Sequence, residues 1–442
     1  MSTLVKIFNI FPVLPPPNSL PNSPEVLTFL DILWLVFSPV QRIFFYDPLE
    51  QKTDDPLDQK TDFSDVIVKL KESLSLTLRY FYPHTGKLVL SETSGLLEIQ
   101  YDHIDGVAFH VAEAEAEAEA DYEALTRSSV HNTNIFLSLV PPLLVHNFPA
   151  PLLSVQATRF PNGGLCIGIS FHHGVADGKS FTNFVEAWAE IHKSGDRSCQ
   201  PCHDLSVLCD PGGISTLYMN NFSISKEGFP APKFLKPSDL VTTTFIIDKE
   251  SIVRLKKRAM RNEAEGRTFY STFVVGCAHI WVCTAKAKQL RDESEMGFTF
   301  PVDCRSHVRP KMPEEIVLDP VFYSVNGKIV ASGFMSMAGS PRFGLYEKDF
   351  GWGRPMRVEV VSIDNDGGIG LAEARDEESG IKVSLSLASC EMDEFRSLFL
   401  EDIYLCIILV FGDLVTHSAL CWNLSSKLIV GIVSRGISCC MW

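Results

Sequence analysis

The sequence predicts an α/β protein of two domains. Three observations carry that prediction. Segments of strand period and segments of helix period occur in both halves of the chain. Residues 151–191 read as strand, turn, strand, short polar loop and helix in one uninterrupted run. Residues 194–237 turn irregular, with Gly212-Gly213 and several prolines, which is the composition of a crossover between domains. The 442 residues would allow roughly three domains of about 150 residues each. The pattern instead assigns 1–193 to an N-terminal domain, 194–237 to the linker, 238–402 to a C-terminal domain and 403–442 to an atypical tail.

The elements follow in chain order. Residues 47–62 read DPLEQKTD and then DPLDQKTD, a duplicated loop rich in turn formers, since two copies cannot build a solenoid. Phe63, Ile67, Leu70, Leu74 and Leu78 recur at spacings of three and four, so they share one face of a helix. Pro83 and Gly86 break that helix, and KLVL begins a strand. AEAEAEAEAD (112–121) reads as a solvated helical or disordered stretch. LLSVQATRF alternates around Leu153, Val155 and Ala157, PNGG turns the chain, and LCIGISF returns as a buried strand. Phe181, Phe184, Val185, Trp188 and Ile191 mark an amphipathic helix after the loop. Beyond the linker, LVTTTFII predicts a strand, KESIVRLKKRAM a helix and STFVVGCAHIWVCTAKA a buried helix. MRVEVVSI and IKVSLSLAS are period-two strands, and EMDEFRSLFLED is a short helix.

Bulk properties exclude several function classes. A net charge of −15 argues against nucleic acid as a partner, since neutralising phosphates needs a basic face. Twelve cysteines lack framework spacing, and MSTLVKIFNIFPVLPPP does not resemble a signal peptide, so a cytoplasmic protein with reduced thiols is expected. Cys199, Cys202, His203 and Cys209 lack the spacing of a zinc ribbon, and no metal is predicted. Walker A, G-x-G-x-x-G, H-E-x-x-H and G-x-S-x-G motifs are absent, which removes the usual nucleotide, metalloprotease and hydrolase sites.

FHHGVADGKSF (171–181) is the chemical candidate. A neutral imidazole at His173 can take a proton from a hydroxyl or an amine. Four residues of loop do not bring Asp177 onto that ring, so the aspartate is expected to brace the loop through a cation. Gly174 and Gly178 permit backbone angles closed to other residues. His172 should face the opposite side and serve structure. On these residues alone, a catalytic loop, part of a metal site and a polar turn all remain open.

The second motif is DFGWG, Asp349-Phe350-Gly351-Trp352-Gly353. HHGVADG followed by DFGWG resembles the BAHD family of plant acyl-CoA-dependent acyltransferases. TFLDILWLVFSPVQRIFFY (28–46), LSLTLRYFYPHTGKL (74–88), FTFPVDCRSHVRP (298–310) and AGSPRFGLYEKDFGWGRP (338–355) extend the resemblance. AGSPRF before DFGWG is similar to the branch that acylates the sugars of anthocyanins and other phenolic glucosides, often with malonyl groups.

The resemblance implies two α/β domains with mixed sheets, the chloramphenicol acetyltransferase-like fold. It implies a monomer that takes acyl-CoA, malonyl or hydroxycinnamoyl, as co-substrate with a small phenolic glucoside as acceptor. No permanently bound cofactor, nucleic acid or membrane partner is implied. His173 matches the general base and Asp177 the residue that shapes its loop. Ser340 and Arg342 lie where the family approaches CoA, and Lys179 is a candidate partner for a malonyl carboxylate. Asp349, Gly351, Trp352 and Gly353 match a structural element, with Arg305 as the expected partner of Asp349.

The chain departs from the family in two places. Only 24 residues, Glu314 to Met337, separate VDCRSHVRPKMP from AGSPRF, where family members carry a longer segment. The C-terminal domain is therefore expected to be incomplete. The chain also continues past EMDEFRSLF through 403–442, where IYLCIILVF is too short to span a bilayer and fits a translated intron or a shifted frame. His84-Thr85 stands where Leu-Ala is usual. These departures sustain a second reading, a non-catalytic truncated paralogue or wrongly spliced product that keeps His173. A third is another H-H-x-x-x-D-G superfamily member such as a condensation domain, which DFGWG opposes.

Overall fold

The computed structural model describes residues 5–400 except 36, 48–61, 103, 105, 116–121, 132, 162, 198–200, 204–207, 209, 211, 231–239, 262–269, 290–296, 300, 304, 306–320, 324–333, 363–367 and 376–379. The 403–442 tail, nearly all of the duplicated octapeptide and most of 314–337 thus lie outside the described residues. The chain divides into two compact units. One takes the chain up to Leu235 together with Gly344–Ser362, and the other takes Lys236–His307, Val321–Phe343 and the chain from Ile363 onward.

The strands in chain order are β1 (Val5–Val13), β2 (Glu25–Val26), β3 (Val40–Tyr46), β4 (Lys87–Leu90), β5 (Leu97–Gln100), β6 (Val107–Ala114), β7 (Val130–His131), β8 (Ala150–Pro151), β9 (Leu153–Arg159), β10 (Leu165–Phe171), β11 (Leu240–Ile247), β12 (Gly297–Thr299), β13 (Pro301–Asp303), β14 (Val321–Tyr323), β15 (Phe334–Ser340), β16 (Arg357–Val360), β17 (Ile369–Glu373) and β18 (Ile381–Ala388). The helices are α1 (Phe29–Ile32), α2 (Phe63–Leu78), α3 (Tyr122–Arg127), α4 (Thr133–Ser138), α5 (Gly178–Ser194), α6 (Ile214–Asn221), α7 (Lys249–Arg261), α8 (Thr272–Ala287) and α9 (Ser389–Leu400).

In the first unit the main sheet runs β1-β6-β9-β10-β3-β16, and only β6 and β9 are parallel neighbours within it. The predicted hairpin is β9 and β10, closed by Phe160 N–H donating to Gly164 O at 2.9 Å. Both strands are buried on both faces, where the sequence suggested alternation along β9. Its polar residues find partners in the covering helix and in the neighbouring strand: on β9, Gln156 Nε2 donates to Ser138 O of α4 at 2.9 Å, and Ser154 Oγ to Ala108 O of β6 at 3.2 Å. Helices α2 and α5 pack together, and the indole N–H of fully buried Trp188 donates to Ser73 Oγ at 3.0 Å. The predicted face of α2 is the buried one, with Ile67, Leu70, Leu74 and Leu78 turned inward.

Two expectations are corrected here. Ala112–Ala114 is not a solvated helix but the end of β6, paired to Val5–Ile7 of β1. The Ala-Glu alternation is a strand pattern in which Ala112 and Ala114 are buried and Glu113 reaches Arg159 at 2.7 Å. The DFGWG segment and residues 356–362 (MRVEVVS), expected in the C-terminal domain, belong to the first unit. Arg357–Val360 adds to the edge of the main sheet against Arg42–Phe45, and backbone pairing outweighs sequence distance.

In the second unit β12, β15, β17, β18 and β11 lie side by side in that order. Thr242 and Ser386 share a cross-strand hydrogen bond of 2.8 Å between β11 and β18. Helices α7, α8 and α9 share one core with these strands, in which Phe245 meets Phe395 and Phe399.

Candidate active site

Strand β10 ends at Phe171 and delivers the chain directly into the His172–Asp177 loop. Two backbone–backbone bonds and one from backbone to side chain shape its start. His172 N–H donates to Leu152 O at 2.8 Å, and Val175 N–H donates to His172 O at 3.1 Å, closing a tight turn with His173 and Gly174 at its centre. Gly174 N–H donates to His172 Nδ1 at 3.1 Å. A Cβ on Gly174 would stand 2.5 Å from a Leu35 methyl, so any larger residue here would have to displace that side chain.

His173 is half-buried, and its ring stacks on Trp34 at 4.3 Å between centroids with 19° between planes. Trp34 follows α1, where the Asp31 carboxylate accepts the Thr28 amide at 2.7 Å and the Thr28 hydroxyl at 2.6 Å. Trp34 N–H in turn donates to Asp31 O. Sequence reasoning passed over Trp34, although it lies in the TFLDILWLVFSPVQRIFFY stretch that carried the resemblance. An apolar run gives no sign of which of its aromatics will face a polar loop.

Asp177 sits at the other end of the loop, buried, as the N-cap of α5. Its carboxylate accepts the Ser180 amide at 2.7 Å. This cap braces the loop at a helix N-terminus, where the free amides and the dipole favour an anion. Lys179 lies half-buried in the first turn of that helix. His172 is wholly buried, and burial, helped by His173 and His146, lowers its pKa to about 3.

DFGWG forms a compact clamp on the far end of α5 and on β3. Asp349 Oδ1 accepts the Gly351 and Gly353 amides at 2.7 and 2.8 Å, and Oδ2 accepts Lys193 Nζ at 2.8 Å. Both glycines have positive φ, 101° and 91°, which bends the chain back over the carboxylate. Burial alone would raise the Asp349 pKa, but Lys193 and the two amides hold it below the usual carboxylate range. Phe350 is buried edge-on to Trp188 at 5.1 Å and to Tyr46 at 5.8 Å, and stacks on Trp352 at 5.6 Å. His192 Nδ1–H donates to Phe350 O at 2.6 Å. Asp349 therefore pairs with Lys193, not with Arg305 as expected. Arg305, buried in the second unit, pairs with Asp303 at 3.0 Å.

Ser340 and Arg342 belong to the second unit, at the end of β15. Ser340 is buried, its hydroxyl accepting the Arg342 amide at 3.1 Å, while the Arg342 side chain is exposed. No cluster of three metal-ligating side chains occurs among the described residues. Cys199 and Cys209 lie outside them, and His203 Nε2 is engaged with Tyr80 O at 2.7 Å. Among the described residues no helix is long and apolar enough to cross a membrane.

Known proteins are similar to this chain in sequence and in fold. The family model described as Transferase family matches residues 16–319 and 320–402. The chain is 32% identical to phenolic glucoside malonyltransferase 1 of Arabidopsis thaliana, over 89% of this chain and 96% of that protein. It is 28% identical to a malonyl-CoA:anthocyanidin 5-O-glucoside-6''-O-malonyltransferase of the same plant, over 90% and 98%. In fold it is similar to vinorine synthase, at a TM-score of 0.67 and 20% identity, with 89% of this chain and 98% of that one covered. These matches show the family: the chain belongs to the BAHD family of acyl-CoA-dependent acyltransferases, in its malonyltransferase-like branch.

Proposed function

We propose that this protein transfers an acyl group, malonyl or hydroxycinnamoyl, from acyl-CoA to a hydroxyl of a phenolic or flavonoid glucoside. The observation that carries the reading is His173, half-buried and stacked on Trp34 at the end of a buried strand. Its neutral imidazole takes the proton of the acceptor hydroxyl, and the oxygen attacks the thioester carbonyl. The tetrahedral oxyanion collapses with loss of the C–S bond, and the imidazolium returns its proton to the leaving thiolate. Both substrates are present together, so no acyl-enzyme forms and acyl-CoA serves as co-substrate.

Asp177 holds the loop by capping α5, and Ser340 and Arg342 contribute to CoA binding. Lys179 pairs with the free carboxylate of a malonyl donor. The malonyltransferase relatives support malonyl as the first donor to test. The protein acts as a monomer in the cytoplasm, which size-exclusion chromatography and a fluorescent fusion would check.

The test is release of free thiol from malonyl-CoA and from a hydroxycinnamoyl-CoA over a panel of phenolic glucosides. Wild type is expected to turn over, and His173→Ala to lose about 10²–10⁴-fold. Equal turnover in both proteins refutes the base. Turnover in neither favours a non-catalytic paralogue. For Lys179→Ala, an unchanged preference for malonyl over acetyl donors refutes the carboxylate contact.

A further inference from the structure

His172 is wholly buried, yet its ring is not packed as an inert filler. Gly174 N–H can only donate, so the Nδ1 that receives it at 3.1 Å carries a lone pair, and the ring proton of the neutral imidazole stands on Nε2. That Nε2 has no hydrogen-bond partner among the described residues. Burying an N–H without a partner is unfavourable, so an apolar side chain would suit the site better unless Nδ1 is needed. The backbone of the same residue fixes the loop as well, through His172 N–H to Leu152 O and Val175 N–H to His172 O. Three of the bonds that shape the turn carrying His173 therefore meet at one residue.

We infer that His172 is the positioning residue of the general base: its Nδ1 holds the Gly174 amide and thereby sets the direction in which the turn presents His173. The inference rests on His173 being that base. A buried glycine amide at the centre of a turn needs an acceptor. With the acceptor on the preceding side chain, the peptide between His173 and Gly174 has one orientation. Without it that peptide is free to rotate, and the imidazole loses its alignment on the acceptor hydroxyl. The stack on Trp34 keeps the ring in place laterally but does not fix the peptide behind it.

Three substitutions separate this role from bulk. In His172→Asn the side-chain oxygen stands at the same branch point as Nδ1 and restores the acceptor. His172→Leu keeps the branch without an acceptor, and His172→Gln moves the oxygen one atom outward. Leu and Gln are expected to lower kcat roughly ten- to a hundred-fold with KM for both substrates within about two-fold, and Asn to recover most of the loss. If the Leu variant does not fold, the Asn and Gln pair decides. Equal kcat in Asn and Gln, whether high or low, overturns the inference. Histidine ¹⁵N spectra give a readout independent of turnover: His172 should appear as the Nε2–H tautomer, and an Nδ1–H tautomer overturns the assignment. Activity surviving in His173→Ala would instead remove the general-base reading, so the two failures are distinguishable.

Discussion

Acid should unfold this protein through histidines that the fold holds neutral. His84 is the clearest case. It is wholly buried in the short turn Tyr82–Thr85, stacked on Phe184 at 5.0 Å, and neither ring nitrogen has a hydrogen-bond partner among the described residues. Burial, and secondarily the neighbouring His203, lower its pKa to about 3 from an ordinary 6.5. As pH falls, the unfolded chain therefore binds the proton first. The contribution of the neutral ring is complete above about pH 6.5 and is lost progressively as pH falls towards the folded value. Lowering the pH from about 7 to about 5 removes about 2 kcal/mol through His84 alone. His172, lowered to about 3, and buried His192, lowered to about 4, behave in the same way. The perturbation is His84→Leu, and the assay is urea unfolding of both proteins at the two pH values. The variant should be more stable by about 1–3 kcal/mol near neutrality, because two unpartnered ring nitrogens leave the core. Its loss between the two pH values should be about 2 kcal/mol smaller than that of wild type. Identical losses would refute the reasoning.

The remaining predictions concern elements that hold the first unit together. Asp349→Ala, which strips the Gly351 and Gly353 amides of their acceptor, should cost about 2–3 kcal/mol in thermal unfolding. Lys193→Met, at the exposed end of the same pair, should cost under about 1 kcal/mol; comparable costs would show that the ion pair, not the turn, matters. Arg357 and Glu359 form a buried pair at 2.7 Å, and Arg357 also donates to the Leu125 and Ser128 carbonyls. Arg357→Met should cost about 3–5 kcal/mol, and adding Glu359→Leu should recover part of it. Gly168→Ala should destabilise the main sheet, since a Cβ would stand 2.0 Å from Leu139 O; an unchanged melting temperature would contradict that packing.

Much of the fold was legible because its signals are local. Hydrophobic spacing located α2, α5, α8 and the β9–β10 hairpin, and the hairpin's exit located His173. The failures share a different cause. MRVEVVSI was recognisable as a strand, but nothing in its own residues says that its partner is β3, more than 300 positions earlier. Asp349 was read as a charge needing a charged partner. Lys193 supplies one, yet the two glycine amides inside the motif satisfy the other carboxylate oxygen, and such short-range backbone bonding leaves no charge pattern to read. Asp177 likewise caps a helix through a short-range backbone bond that its charge alone does not announce.

By itself the sequence determined the family, most of the element types and the candidate for the reactive side chain. Motif spacing and hydrophobic period depend on residues near one another in the chain. Only the tertiary structure decided that DFGWG clamps the first unit, that Trp34 lies under His173 and that His172 turns its ring back onto Gly174. Each of these depends on which buried polar group finds which partner. That choice is made by packing between distant segments, once the apolar faces have been removed from water.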